Sequence, residues 1–102
     1  MASTDPGTNW AGNYVYQARA VLRPATFDEV RATVKRCPRL RVVGTRHAFN
    51  GIADTTADQL SLEKLDRILA IDPVQRTVTI EGGVRYGELC RELHRSGWAL
   101  HN

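Results

Sequence analysis

One capped helix near the start of the chain is followed by four β-rich runs with no helix among them, and that order narrows the fold more than any other feature. Thr26 and Glu29 have the spacing of a capping box, and Phe27, Val30, Val34 and Cys37 then recur at intervals of three and four, which predicts an amphipathic helix with those four residues on its apolar face. Pro38 ends it, because the ring removes a donor and disfavours a helical residue before it. The β-rich runs are Leu40 to Val43, a stretch near Gln59 to Leu62, Ile68 to Ile71 and Thr77 to Glu81. The last two flank Asp72-Pro73-Val74-Gln75 and read as a β-hairpin. Leu89, Cys90 and Leu93 mark one face of a closing helix from about Tyr86 to Arg95, with Gly97 placed to cap it. Ahead of the first helix, Tyr14 to Leu22 is rich in aromatic and β-branched residues and stops at Pro24, which suits an extended segment. The order β-α-β-β-β-β-α is that of an α+β chain, not of a doubly wound parallel sheet, in which helices alternate with strands.

A length of 102 residues, 42% hydrophobic and 25% charged, suits at most one globular unit. Residues 1–8, small and polar with Pro6 and Gly7, read as a flexible tail, and order is expected over 9–102. Fourteen basic against eleven acidic residues leave a net charge of +3, far from the excess of a chain that binds nucleic acid by charge alone. The basic residues are nevertheless uneven: Arg31, Lys35, Arg36, Arg39, Arg41 and Arg46 follow one another with no acidic residue between them. This makes a small standalone basic module for an anion or nucleic acid the competing reading. Against it, Arg39 and Arg41 alternate with Leu40 and Val42 as on the solvated face of a half-buried strand, and no RRM or KH signature accompanies the charge, so no nucleic-acid partner is expected. Cys37 and Cys90 form no C-x-x-C pair and read as reduced, buried thiols. Residues 1–9 lack the apolar core of a signal peptide, and no apolar run approaches the ~18 residues of a membrane span, so a cytoplasmic protein without a membrane partner is expected.

The segment Gly44-Thr45-Arg46-His47-Ala48-Phe49-Asn50-Gly51 carries the most chemistry. A glycine directly after an apolar strand lets consecutive backbone N–H groups converge on an anion such as a phosphate, although an ordinary strand-to-loop turn has the same composition. The loop is neither a P-loop nor a G-x-G-x-x-G fingerprint. His47 lies in it beside Arg46, and a neutral imidazole is the form of histidine that acts as nucleophile or base. A lone loop histidine is just as compatible with a surface residue. Gly82-Gly83 offers a second close approach of backbone to a ligand or merely ends the hairpin. Tyr86, Trp10 and Trp98 read as packing residues, and His94 and His101 have no further ligands beside them, so no metal site is expected.

Four ordered motifs, Asn9-Trp10-Ala11-Gly12-Asn13, Leu22-Arg23-Pro24, Arg41-Val42-Val43-Gly44-Thr45-Arg46-His47-Ala48-Phe49-Asn50 and Gly82-Gly83-Val84-Arg85-Tyr86-Gly87-Glu88-Leu89, closely resemble the N-terminal third of bacterial alditol (xylitol) oxidases, flavoproteins of the vanillyl-alcohol-oxidase type. Sugar-lactone oxidases are similar but more distant. The resemblance runs from about residue 8 to the end of the chain. It implies the first α+β subdomain of a PCMH-type FAD-binding domain, incomplete in itself, with Val42, Val43, Gly44, Thr45, Arg46, His47 and Ala48 along the FAD pyrophosphate and ribityl chain.

The resemblance further implies that His47 is the covalent attachment point of FAD, its imidazole bonding to the 8α-methyl carbon of the isoalloxazine. The activity it implies is oxidation of an alditol or sugar-lactone type alcohol by oxygen, with hydrogen peroxide as product. Two positions depart from the pattern: many relatives carry a small residue in place of Arg46 and a serine in place of Ala48. Neither change removes the histidine. Relatives continue beyond the position of Asn102 into a second glycine- and serine-rich flavin-binding stretch and a substrate domain. The isolated chain, with no catalytic residue of its own, is therefore expected to be inactive. Uncovered strand faces and edges also make self-association an expectation.

Overall fold

The computed structural model describes residues 5–101 in full and the backbone of Ala2 and Ser3; Met1, Thr4 and Asn102 lie outside the described residues. The chain divides into two compact units, Met1–Lys64 and Leu65–Asn102.

The first unit contains β1 (Ala2–Ser3), β2 (Ala20–Leu22), α1 (Phe27–Arg36), β3 (Leu40–Val43) and β4 (Asp58–Ser61), with a 3-10 turn at Gly51–Ala53. The sheet order is β1-β2-β4-β3. β2 and β3 both run parallel to β4, with Val21 opposite Gln59 and Val42 opposite Leu60, and β1 is antiparallel to β2. α1 therefore connects two strands that are not neighbours, and β4 enters between them. Parallel neighbours need a crossover of about a dozen residues or more. Between β3 and β4 that crossover is residues 44–57, irregular apart from the 3-10 turn, so a parallel pair forms without a second helix.

The central strand is buried at all four positions, yet only Leu60 of the four is apolar. Each polar side chain has a hydrogen-bonded partner within the unit, although the buried Gln59 Oε1 has none among the described residues. Asp58 accepts from Arg19 Nε at 3.1 Å and Nη2 at 2.8 Å, Gln59 Nε2 donates to the Ala53 carbonyl at 2.7 Å, and Ser61 Oγ accepts from the Glu63 N–H at 3.3 Å. Tyr16, Ala18, Val21, Val43 and Leu60 supply the apolar core around them. Arg23 and Glu63 form an ion pair beside the sheet.

The capping prediction for α1 holds: Thr26 Oγ1 accepts from the Glu29 N–H at 3.1 Å, and the Glu29 carboxylate accepts from the Ala25 N–H at 2.7 Å. The apolar face does not behave as predicted. Phe27 is 70% and Val34 55% exposed, with the Arg31 guanidinium over the Phe27 ring, and the buried residue of the helix is Thr33, whose hydroxyl returns to the Glu29 carbonyl at 2.7 Å. The stretch expected to be a tail is partly paired. Beyond β1, Thr8 bridges Val15, and the Gly7 carbonyl accepts from the Tyr16 N–H at 3.0 Å. Of the extended stretch from Tyr14 to Leu22, only Ala20–Leu22 joins the sheet.

The second unit is the predicted hairpin and helix: β5 (Ile68–Asp72) antiparallel to β6 (Thr77–Ile80), then α2 (Tyr86–Arg95). Asp72 Oδ1 closes the turn by accepting the N–H groups of Val74 and Gln75 at 3.0 and 3.1 Å. Gly97 ends α2 at a φ of +81°, where a side chain would be strained. Leu65, Leu89 and Leu93 are the buried apolar residues of this unit. Both cysteines are free thiols, but neither is buried as expected: Cys37 is half-buried and Cys90 exposed, since the buried stripe of α2 runs through positions 89 and 93. Among the described residues no helix is long and apolar enough to cross a membrane.

Candidate functional site

The loop after β3 starts from a fixed point. Val43, the last residue of the strand, is 3% exposed and paired with Ser61 of β4. Gly44 is exposed, and a Cβ added to it would meet no atom within 4 Å, which leaves room for a ligand against the backbone. Among the described residues of the loop only Arg46 has a positive φ, +66°. Alternating right- and left-handed residues form the backbone pattern whose successive N–H groups can turn toward an anion, and Arg46 supplies the left-handed one. The N–H groups of Thr45, Arg46, His47 and Ala48 donate to no partner among the described residues.

A second segment, distant in sequence, holds this loop. The Trp10 N–H donates to the Arg46 carbonyl at 2.6 Å, and Asn9 Nδ2 donates to the Ala48 carbonyl at 2.7 Å. Asn9 is 2% exposed; its amide also donates to Asn13 Oδ1 at 2.7 Å and accepts from the Tyr14 N–H at 3.1 Å, while Asn13 Nδ2 reaches the Phe49 carbonyl at 3.1 Å. Gly12, at a φ of +77°, makes the turn that brings Asn9 and Asn13 together. Between the two tethered carbonyls, the exposed His47 ring stacks on the Trp10 indole with centroids 5.1 Å apart and planes at 20°. Trp10, read from sequence as a packing residue, is 73% exposed.

Arg46 gives the loop its backbone and sends its side chain to the floor of the unit. The guanidinium lies over the Tyr16 ring, 5.7 Å from its centroid, and Nη1 is 2.9 Å from where a Gly7 Cβ would sit. At the far end Asn50 Oδ1 caps the 3-10 turn through the Ile52 N–H at 3.0 Å, and Arg41 Nη1 donates to the Ile52 carbonyl at 2.6 Å. The Tyr14 hydroxyl donates to Asp54 at 2.8 Å, a bond to a carboxylate that raises its pKa above the ordinary value, and the Gln17 and Thr55 N–H groups donate to the same carboxylate. A Cβ on Gly51 would stand 2.5 Å from that hydroxyl, so any larger residue there must displace the Tyr14 side chain.

The structure thus places Gly44, Thr45, Arg46, His47 and Ala48 on one loop. Val43 anchors it, and Val42 is 60% exposed. Sequence reasoning did not assign roles to Asn9, Asn13 or Asp54; the Asn-Trp-x-Gly-Asn motif marked the first two, but nothing in it says that its partners lie 36 to 39 residues away. Gly82 and Gly83 fall in the second unit, where the Gly83 N–H bonds to the Leu65 carbonyl at 2.8 Å and serves the end of the hairpin. His94 and His101 are exposed.

A family model described as an FAD binding domain matches residues 18–102. The chain belongs to the FAD-binding domain family. Among its relatives, an alditol oxidase of Streptomyces sp. (strain IKD472 / FERM P-14339) is 46% identical over 99 residues, 93% of this chain and 24% of that protein. An L-gulonolactone oxidase of Scyliorhinus torazame is 34% identical over 92% of this chain and 22% of its own length. The mitochondrial L-galactono-1,4-lactone dehydrogenase 1 of Oryza sativa subsp. japonica is 31% identical over 93% of this chain and 17% of its own length. The chain spans about a quarter or less of the length of these curated relatives. The cofactor of this FAD-binding domain is FAD. The loop fits it: N–H groups at 45–48 without a partner among the described residues suit a diphosphate, and the open side of Gly44 admits it to the backbone.

Proposed function

We propose that this chain is the N-terminal FAD-binding segment of a flavin-dependent oxidase that takes an alditol or sugar-lactone type alcohol to the carbonyl, with oxygen as acceptor and hydrogen peroxide as product. The observation that carries the reading is the run of N–H groups at Thr45–Ala48 that have no partner among the described residues, with His47 exposed in their midst, in a chain of the FAD-binding family. On this reading Val42 to Ala48 line the pyrophosphate and ribityl part of the cofactor, and the neighbouring backbone donors hold its negative charge.

His47 is the proposed covalent anchor. One imidazole nitrogen bonds to the 8α-methyl carbon while the ring N–H and one methyl C–H are lost as two protons and two electrons, which oxygen takes up as hydrogen peroxide. Bound flavin would supply the two-electron redox chemistry that links oxidation of the alcohol to reduction of oxygen. The residues of this chain bind and orient the cofactor. The groups that touch substrate are proposed to lie in the portion of such an oxidase that these 102 residues do not correspond to, so the chain alone turns over no alcohol.

The test is the gene product expressed in full, assayed for visible flavin absorbance and for peroxide released with a panel of alditols and sugar lactones. Yellow protein that forms peroxide with one of these classes supports the reading. Colourless protein that gains no flavin on incubation with FAD refutes it.

A further inference from the structure

We infer that Trp10 is a positioning residue for His47, holding the imidazole in the orientation from which it bonds to the flavin. The inference rests on the reading of His47 as attachment point and adds a residue outside the stretch 18–102 that the family model matches.

Three adjacent anchors converge on one residue. The carbonyl before His47, that of Arg46, is held by the Trp10 N–H at 2.6 Å, and the carbonyl after it, that of Ala48, is held by Asn9 at 2.7 Å. With the backbone fixed on both sides, the ring retains only rotation about its own two side-chain bonds. The Trp10 indole lies against one face of the ring at 5.1 Å and 20°, which removes most of that freedom and leaves the ring edge, where both nitrogens sit, uncovered by the stack. The indole does not fill a core of this unit, being 73% exposed. Its backbone N–H is used in the same contact, so main chain and side chain act together. Holding a nucleophile in one orientation before the reaction partner arrives reduces the entropy lost on reaching the bond-forming geometry, and small misplacements there cost large factors in rate. Non-covalent binding of FAD, which rests on the backbone donors of residues 45–48, does not depend on the orientation of the His47 ring.

The experiment uses the full gene product, freed of flavin and mixed with FAD. It follows covalent incorporation by intact mass and, separately, the dissociation constant for FAD before the bond forms. W10A should slow incorporation roughly tenfold or more with the dissociation constant unchanged, and W10F, which keeps an aromatic face, should restore most of the rate. A W10A rate equal to the parent's, or a slower rate matched by an equal loss of FAD affinity, overturns the assignment. H47A separates the two readings: no covalent flavin in H47A but full-rate incorporation in W10A overturns the role of Trp10 alone, whereas covalent flavin in H47A overturns both. Should W10A not fold, W10F and a direct signature of the stack remain. The His47 ring-proton resonances of the parent should be shifted upfield by the indole ring current, and their appearance at ordinary positions overturns the geometry.

Discussion

The two units solve the burial of a small sheet in different ways. In Met1–Lys64 the central strand presents Asp58, Gln59 and Ser61 to the interior, each with a hydrogen-bonded partner, and the same unit ties its two long loops together with Asn9, Asn13 and Asp54. In Leu65–Asn102 the buried apolar residues are three leucines, and the hairpin strands keep Leu69 and Ile80 at 54% and 37% exposure. Three buried leucines contribute about 5–9 kcal/mol, little against the conformational entropy of the residues they order. A polar interior is directional, so it fixes where a loop sits; an apolar one of this size fixes little beyond proximity. The loop that carries His47 belongs to the directional unit. One tryptophan in each, Trp10 and Trp98, lets W98F and W10F variants report the units separately.

The largest expected difference comes from the cores. Leu60→Ala, on the central strand at 2% exposure, should cost the first unit about 3 kcal/mol, whereas Leu93→Ala in the second should cost nearer 2 kcal/mol because its thin surroundings relax into the space more readily. Urea unfolding followed through each tryptophan measures both, and an equal or larger loss at Leu93 breaks the comparison. Next in size are two glycines. Gly51→Ala must displace the Tyr14 hydroxyl, which its bond to Asp54 holds in place, and should destabilise the first unit by about 2 kcal/mol. Gly87→Ala in α2 meets nothing within 4 Å and should stabilise the second by about 0.5 kcal/mol, read from the same transitions.

Acid should weaken both units through different carboxylates. Hydrogen bonds from Arg19, and then its charge, hold the Asp58 carboxyl below the usual carboxylate range against the opposing effect of burial; Arg67 does the same for Glu81. A depressed folded-state value means stability that is present above the unfolded value of about 4 and is lost as pH falls through the lower, folded value. Asp58→Asn should therefore flatten the acid limb seen through Trp10 and leave that of Trp98 unchanged, and Glu81→Gln should do the reverse. Crossed effects would mean that the units do not titrate independently. The smallest effect concerns two arginines with positive φ, Arg46 at 66° and Arg76 at 56°. Arg76→Gly should stabilise the hairpin by about 0.5 kcal/mol by removing left-handed strain, while Arg46→Gly should leave the first unit near its parent value because it also gives up the guanidinium over Tyr16. A gain at Arg46 as large as at Arg76 would show that the ring contact contributes nothing.

What was legible in the sequence was local. The Thr26 cap, the Asp72 turn and the Gly97 terminus each depend on bonds spanning two to four residues, and each formed where the residue types predicted. The order of elements from β2 onward and the position of His47 after a strand and a glycine followed likewise, whereas β1 falls in the stretch read as a tail. The partners across long separations were hidden: that β4 enters between β2 and β3, that Asn9 reaches Ala48, and that Trp10 covers His47 rather than a core. Periodicity reports that a helix has an apolar face but not what covers it; in this unit Phe27 and Val34 of that face stay exposed while Val30 and Cys37 are half-buried.

The most direct test of the account is peptide mapping of the full gene product after denaturation and trypsin digestion. Cleavage after Arg46 and Lys64 releases the peptide His47–Lys64. The account predicts that this peptide is heavier by one FAD less two hydrogen atoms and returns to its bare mass in H47A. Flavin released entirely to the supernatant on denaturation, with the peptide at its bare mass in the parent, would contradict it.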